Sequence, residues 1–182
     1  MLTMLMYHRI LPQEHPEAVS VPMFRRQLDY LQRHYQILAP EEVPDYVHGR
    51  LRDAPRPYAA LSFDDGWLDN WLFATEILKA RGLRATLAMS AGYLYEGAVR
   101  KTESDEILNL RMGEAQKRAA AGDLRSYVNI SELKAMQDSG VWRIEAHGTR
   151  HVKGSLGVSA LAMPQDGEPA EAFREMLKED IG

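Results

Sequence analysis

Two adjacent carboxylates, Asp64 and Asp65, and two histidines four residues apart, His147 and His151, are the residues of this chain whose types and spacing could do chemistry together. Two imidazoles at that spacing can turn their nitrogens onto one cation, and an aspartate from a second segment would complete a facial set of three with positions left open for water and substrate. Of the six histidines, only this pair has close ligand spacing. Neighbouring carboxylates on an extended segment point in different directions, so Asp64 and Asp65 are expected to divide their work, one binding a metal and the other handling a proton. Each signal alone also has a plain structural reading. Asp-Asp-Gly is a common polar turn after a strand, and the two histidines could be solvated loop residues. Their coincidence at the ends of two apolar runs is what points to a site.

The first of those runs is Ala59-Ala60-Leu61-Ser62-Phe63, which reads as a buried strand that stops at Asp64-Asp65 and turns at Gly66. Parallel α/β folds keep their chemistry at such carboxyl ends. Leu2 to Tyr7 reads as an earlier strand that breaks at His8 ahead of Pro12 and Pro16; His8 faces the same cleft or is a hydrogen-bonded structural residue. Phe24, Leu28 and Leu31 recur at helical spacing after Ser20, Tyr35 to Leu38 suits a short strand, and Glu41 to Arg50 suits another helix.

Beyond Gly66 the pattern predicts one helix from Leu68 to Arg81, stopped by Gly82, and then a strand over Arg84 to Met89. The strand pair and its crossover make a βαβ unit with parallel strands. Residues 92–125 are polar and weakly periodic, with one helix between Arg111 and Ala121, and read as an insertion that covers a site or lies on the surface. Ser131 is expected to cap a helix that ends at Gly140, and Val141 to Ala146 is the strand that delivers His147 and His151. A last amphipathic helix spans about Pro169 to Asp180.

With 182 residues, the chain suits a single domain over 1–182, and 45% hydrophobic with 26% charged residues is ordinary for a globular protein. A net charge of -4 and a pI near 5.9 provide no cationic surface for a phosphate backbone, so nucleic acid is not an expected partner. The absence of cysteine removes disulfides and thiolate ligands and leaves His, Asp and Glu to bind metal. No apolar run approaches the ~20 residues that span a bilayer. The start, Met1 to Tyr7, lacks the basic residues of an export signal, and a chain trimmed of such a signal would look the same.

Ser62-Phe63-Asp64-Asp65-Gly66 resembles the [Thr/Ser]-Phe-Asp-Asp-Gly motif of the polysaccharide deacetylases, carbohydrate esterase family 4, and His147 to His151 resembles their His-x-x-x-His metal motif. The flanks agree: Ile77 to Thr86 is similar to the helix and strand after the first motif, and Ser139 to His147 to the approach to the second. Met6-Tyr7-His8-Arg9-Ile10 resembles the Tyr-His opening of the branch that acts on poly-N-acetylglucosamine.

The resemblance implies a distorted (β/α) barrel of the NodB type, with Asp64 as general base and Asp65, His147 and His151 as ligands of one divalent metal ion. Zinc heads the compatible metals, with nickel, cobalt and iron behind it. The reaction implied is hydrolysis of N-acetyl groups on an N-acetylated polysaccharide. Two departures stand out. Gly148 occupies a position where the family has Ser or Thr, and the family's later Arg-containing and Leu-x-His segments have no match after His151. On that reading the barrel is incomplete at its C-terminus, and its open edges predict a homo-oligomer. The alternative is a non-catalytic metal- or glycan-binding module. A phosphoryl-transfer enzyme with an Asp nucleophile fits less well, because Asp-x-Asp would need a carboxylate where Gly66 stands.

Overall fold

The computed structural model describes residues 1–51 and 54–149, together with Glu171, Ala172, Arg174, Glu175 and Lys178, which are helical. The chain opens with Leu2–Tyr7 (β1), a short parallel pair Ile10–Leu11 (β2) and Val19–Ser20 (β3), and the helix Val21–His34 (α1). Gln36–Ile37 (β4), Val43–Val47 (α2), Tyr58–Asp65 (β5), Thr75–Ala80 (α3) and Ala85–Met89 (β6) follow. Asp105–Leu108 (α4), Met112–Ala120 (α5), Ile130–Asp138 (α6) and Trp142–Ala146 (β7) complete the labelled elements.

The architecture is α/β with a parallel sheet, as expected. Strands lie in the order β1, β5, β6, β7, every pair parallel, with β4 beside the start of β5. All carboxyl ends therefore fall along one edge of the sheet. β5 runs through the middle and is buried along nearly its whole length, which is why Tyr58-Ala59-Ala60-Leu61 is continuously apolar rather than alternating.

Aromatic residues from three strands and a helix fill the core. Tyr7 stacks on Phe63 with centroids 5.1 Å apart, Phe24 of α1 meets both edge-on, and Trp142 of β7 meets Phe63 at 5.0 Å. Such offset and edge-on pairs contribute about 0.5–1.5 kcal/mol each beyond the apolar area they bury.

The structure corrects several local expectations. The helix expected over Leu68 to Arg81 is broken into a π-helical turn at Asn70–Ala74 followed by α3. Thr75 donates both its N–H and its hydroxyl to the Asn70 carbonyl, which lengthens the hydrogen-bond step, and the Asn70 side chain is spent on the His8 carbonyl at 3.1 Å. Asn129, not Ser131, caps α6, because its side chain accepts from Glu132 N–H and the Glu132 carboxylate accepts from Asn129 N–H, each at 2.9 Å. Both residues are good cap formers, and only the reciprocal glutamate three positions on separates them.

The polar stretch 92–125 is tied into the fold. Arg100 binds the wholly buried Glu132 through Nε and Nη2 and also donates to the carbonyls of Arg125 and Tyr127.

Candidate active site

β5 ends in two consecutive left-handed residues, Asp65 at φ +73° and Gly66 at φ +81°. Aspartate tolerates that region better than most side chains, since its short polar group can bond locally. Gly66 has a second constraint: a Cβ there would lie 2.0 Å from Met89 Sδ of the neighbouring strand. The sharp turn ends the strand pleat at Asp65. Instead of parting along the pleat, both carboxylates approach one imidazole: His147 Nε2 stands 3.9 Å from Asp64 Oδ2 and 3.8 Å from Asp65 Oδ1. These separations exceed a hydrogen bond and describe groups gathered around a shared space.

His147 arrives from β7, two strands away across β6. Its N–H donates to the Met89 carbonyl at 2.9 Å, so the backbone ladder continues one step past the strand and fixes where the ring begins. Gly148 at φ +74° then turns the chain, which supplies a conformational reason for glycine where the resembling family carries Ser or Thr. The turn is held on the β6 side by Ala91 N–H to the Gly148 carbonyl at 3.0 Å and Gly92 N–H to the Thr149 carbonyl at 2.6 Å. Asp64 and Asp65 are 7% and 3% exposed, and the His147 side chain is 28% exposed, although its Nε2 and Asp65 Oδ1 are themselves withdrawn from water.

Each carboxylate has a second support. Ser62 Oγ donates to Asp64 Oδ1 at 3.2 Å. Trp67 Nε1 donates to Asp65 Oδ2 at 3.1 Å from a wholly buried ring, which stacks on Tyr127 at 4.7 Å and carries the Arg9 guanidinium 4.8 Å from its centroid. Arg9 is itself buried. It donates through Nε to Asp69 Oδ2 at 2.8 Å and through its two Nη atoms to the carbonyls of Leu110 and Leu108. Asp69 also accepts from Ile10 N–H at 2.9 Å. Burial pushes the Asp69 carboxyl above its usual value, against the pull of Arg9 and that N–H.

The structure thus brings together three of the four residues picked from the sequence, while His151 lies outside the described residues. Among the described residues no group of three or more His, Asp or Glu side chains is arranged as a metal cage. Asp65 with His147 is nonetheless a donor set of carboxylate oxygen and imidazole nitrogen that suits zinc and its neighbours.

Sequence reasoning missed Trp67 and Arg9. Nothing in an aromatic after a glycine marks it as a donor to a carboxylate, but Arg9 between Tyr7 and Ile10-Leu11 was a signal for a buried, paired charge. His8 follows β1 directly, half-buried, and lines a cleft with Tyr7, Glu17 and Met112.

With this geometry in hand, the affiliation of the chain is clear: it belongs to the polysaccharide deacetylase family, whose model matches residues 52–174. The fold is also that of solved deacetylase structures. IcaB from Ammonifex degensii superposes with a TM-score of 0.71 at 24% identity over 99% of this chain and 64% of that one. A de-N-acetylase from Aggregatibacter actinomycetemcomitans gives 0.69 at 19% identity over 98% and 70%. The BpsB deacetylase domain from Bordetella bronchiseptica gives 0.63 at 16% identity over 98% and 71%. The chain therefore spans about two thirds of the length of these relatives. No curated protein matches its sequence.

Proposed function

We propose that this protein is a metal-dependent hydrolase that removes N-acetyl groups from an N-acetylated polysaccharide of the poly-N-acetylglucosamine type. The observation that carries the reading is the approach of His147 Nε2 to within 3.9 Å of both Asp64 and Asp65 at the carboxyl edge of a parallel sheet. Family membership supports the reaction class, the structural likeness to a de-N-acetylase supports the amide bond, and the Tyr7-His8 opening supports the polymer.

Asp65 and His147, joined by His151 as the family motif implies, would hold the ion. When bound, a divalent cation supplies charge stabilisation at the carbonyl oxygen and lowers the pKa of a coordinated water toward about 7. The protein's own groups account for the proton transfers. Asp64, oriented by the Ser62 hydroxyl, accepts the proton of the attacking water. The departing amine needs a proton in return, and His8, directly after β1 on the strand that pairs with β5, is the titratable group assigned to supply it. The far oxygens of the two carboxylates are occupied by the Ser62 hydroxyl and the Trp67 indole N–H.

The test is acetate release from an N-acetylglucosamine oligomer, followed with added zinc and again after chelation. Release that requires the metal supports the proposal. Metal bound without release would instead identify a glycan- or metal-binding module.

A further inference from the structure

Trp67 offers the strongest evidence for a role that no motif assigns. Its ring is wholly buried, its Nε1–H has one acceptor, Asp65 Oδ2 at 3.1 Å, and the opposite oxygen of that carboxylate is the one 3.8 Å from His147 Nε2. We infer that Trp67 is a positioning residue, which fixes the Asp65 carboxylate so that Oδ1 is presented toward His147 and any cation the two share. The inference rests on the reading of Asp65 and His147 as metal ligands and adds the residue that aims one of them.

Three features make the indole suited to this. It is a donor with no acceptor capacity, so it cannot take a proton from the carboxylate or trade roles with it. The ring is rigid once stacked: Tyr127 lies 4.7 Å away, and Tyr93 continues the stack at 4.2 Å from Tyr127. Its backbone is locked as well, because Leu68 N–H bonds the Ser126 carbonyl and Val128 N–H bonds the Gly66 carbonyl, both at 2.9 Å.

Arg9 adds a further constraint. Its guanidinium lies 4.8 Å from the ring centroid, and Arg9 is held in turn by Asp69 and by the Leu108 and Leu110 carbonyls. The chain of support runs from Asp69 and the Leu108 and Leu110 carbonyls, through Arg9, to the indole and then to Asp65. The carboxylate so held belongs to a residue with left-handed backbone, Asp65 at φ +73°.

A buried indole that merely found the nearest acceptor would leave metal binding unchanged when its N–H is removed. Partners that orient a ligand shift affinity by about 10–100-fold. The experiment is therefore zinc affinity, measured on the whole chain by competition with a chromophoric chelator, for the wild type and Trp67→Phe, which keeps an aromatic ring and deletes the donor. We expect Trp67→Phe to bind zinc on the order of tenfold more weakly while the metal-free proteins melt within a few degrees of each other. Equal affinity overturns the inference.

A second measurement needs no Trp67 variant. Of the indole N–H resonances of the three tryptophans, the one displaced by Asp65→Asn should be the one that zinc displaces in the wild type. If zinc binds and moves no such signal, the positioning role is wrong and the metal site stands. If the wild type binds no zinc in either assay, the reading of Asp65 and His147 as ligands falls, and this inference falls with it.

Discussion

Arg9 and Asp69 form an ion pair at 2.8 Å with both side chains withdrawn from water, sixty residues apart in sequence and one ring away from the Asp65 carboxylate. Breaking a buried pair by removing one partner leaves the other charge uncompensated and costs about 3–5 kcal/mol. Arg9→Met is expected to destabilise the protein by that amount near neutral pH.

The deficit should depend on pH with a definite sign. Burial already pushes the Asp69 carboxyl above its ordinary value, and losing Arg9 removes the main opposing influence, so the folded value rises further. A carboxyl with a raised folded pKa favours the fold below its unfolded pKa, and that contribution is lost as pH rises through the folded value. In urea titrations the gap between wild type and Arg9→Met should therefore narrow from pH 7.5 toward about pH 4.5. A gap that widens on acidification would refute this account.

Gly92 governs the second approach to the site. A Cβ there would meet the Thr149 carbonyl oxygen at 2.5 Å, and that oxygen is backbone, bonded to Gly92 N–H at 2.6 Å. Gly92→Ala must push the turn that carries His147 away from β6. Misplacing a reacting group by about 1 Å can cost around 100-fold in rate. Turnover by Gly92→Ala should fall by about 10–100-fold, with a melting temperature only a few degrees lower because the sheet itself is untouched. Unchanged turnover would show that the His147 turn is not held by this contact.

Much of this was legible in the sequence because β5 and β6 are apolar and β5 is terminated by residues of another chemical kind, whereas β7, Trp142-Arg143-Ile144-Glu145-Ala146, is largely exposed rather than the apolar run expected. Asp64 and Asp65 announce themselves as a polar end on a buried run, His147 through its spacing from His151, and the parallel order follows from the helical crossovers between strands. What could not be read depends on contacts distant in sequence. The carboxylates meet at one imidazole rather than parting because Asp65 is left-handed, a backbone state that the Asp-Asp-Gly string permits without dictating. The π-helical turn begins at Asn70, whose side chain donates to the His8 carbonyl, sixty-two residues earlier. Trp67 looks like any core aromatic until its N–H is seen on Asp65. The short elements β2, β3 and α4 carry too few residues for periodicity to register.

His8 offers a prediction that separates proton donation from folding. Expulsion of an amine requires a proton, whereas expulsion of an activated phenolate does not. If His8 supplies that proton, His8→Gln should lower hydrolysis of the N-acetyl amide by about 100- to 10,000-fold while an aryl acetate ester loses less than tenfold. Equal losses on both substrates would assign His8 a structural role, such as support for the turn its carbonyl makes with Asn70.

Asp64 and Asp65 are neighbours with different expected duties, and a pair of conservative changes distinguishes them. Asp64→Asn keeps the shape that receives the Ser62 hydroxyl but cannot accept a proton from water, so turnover should fall by about 100- to 10,000-fold. Zinc affinity should stay close to wild type if, as proposed, the ligand oxygen belongs to Asp65. Asp65→Asn should do the reverse at the binding step, weakening zinc affinity first and losing activity as a consequence that excess zinc partly restores. Both affinities come from chelator competition and both rates from acetate release. If Asp64→Asn loses zinc as severely as Asp65→Asn, the two carboxylates share the cation and the division of labour between base and ligand is wrong.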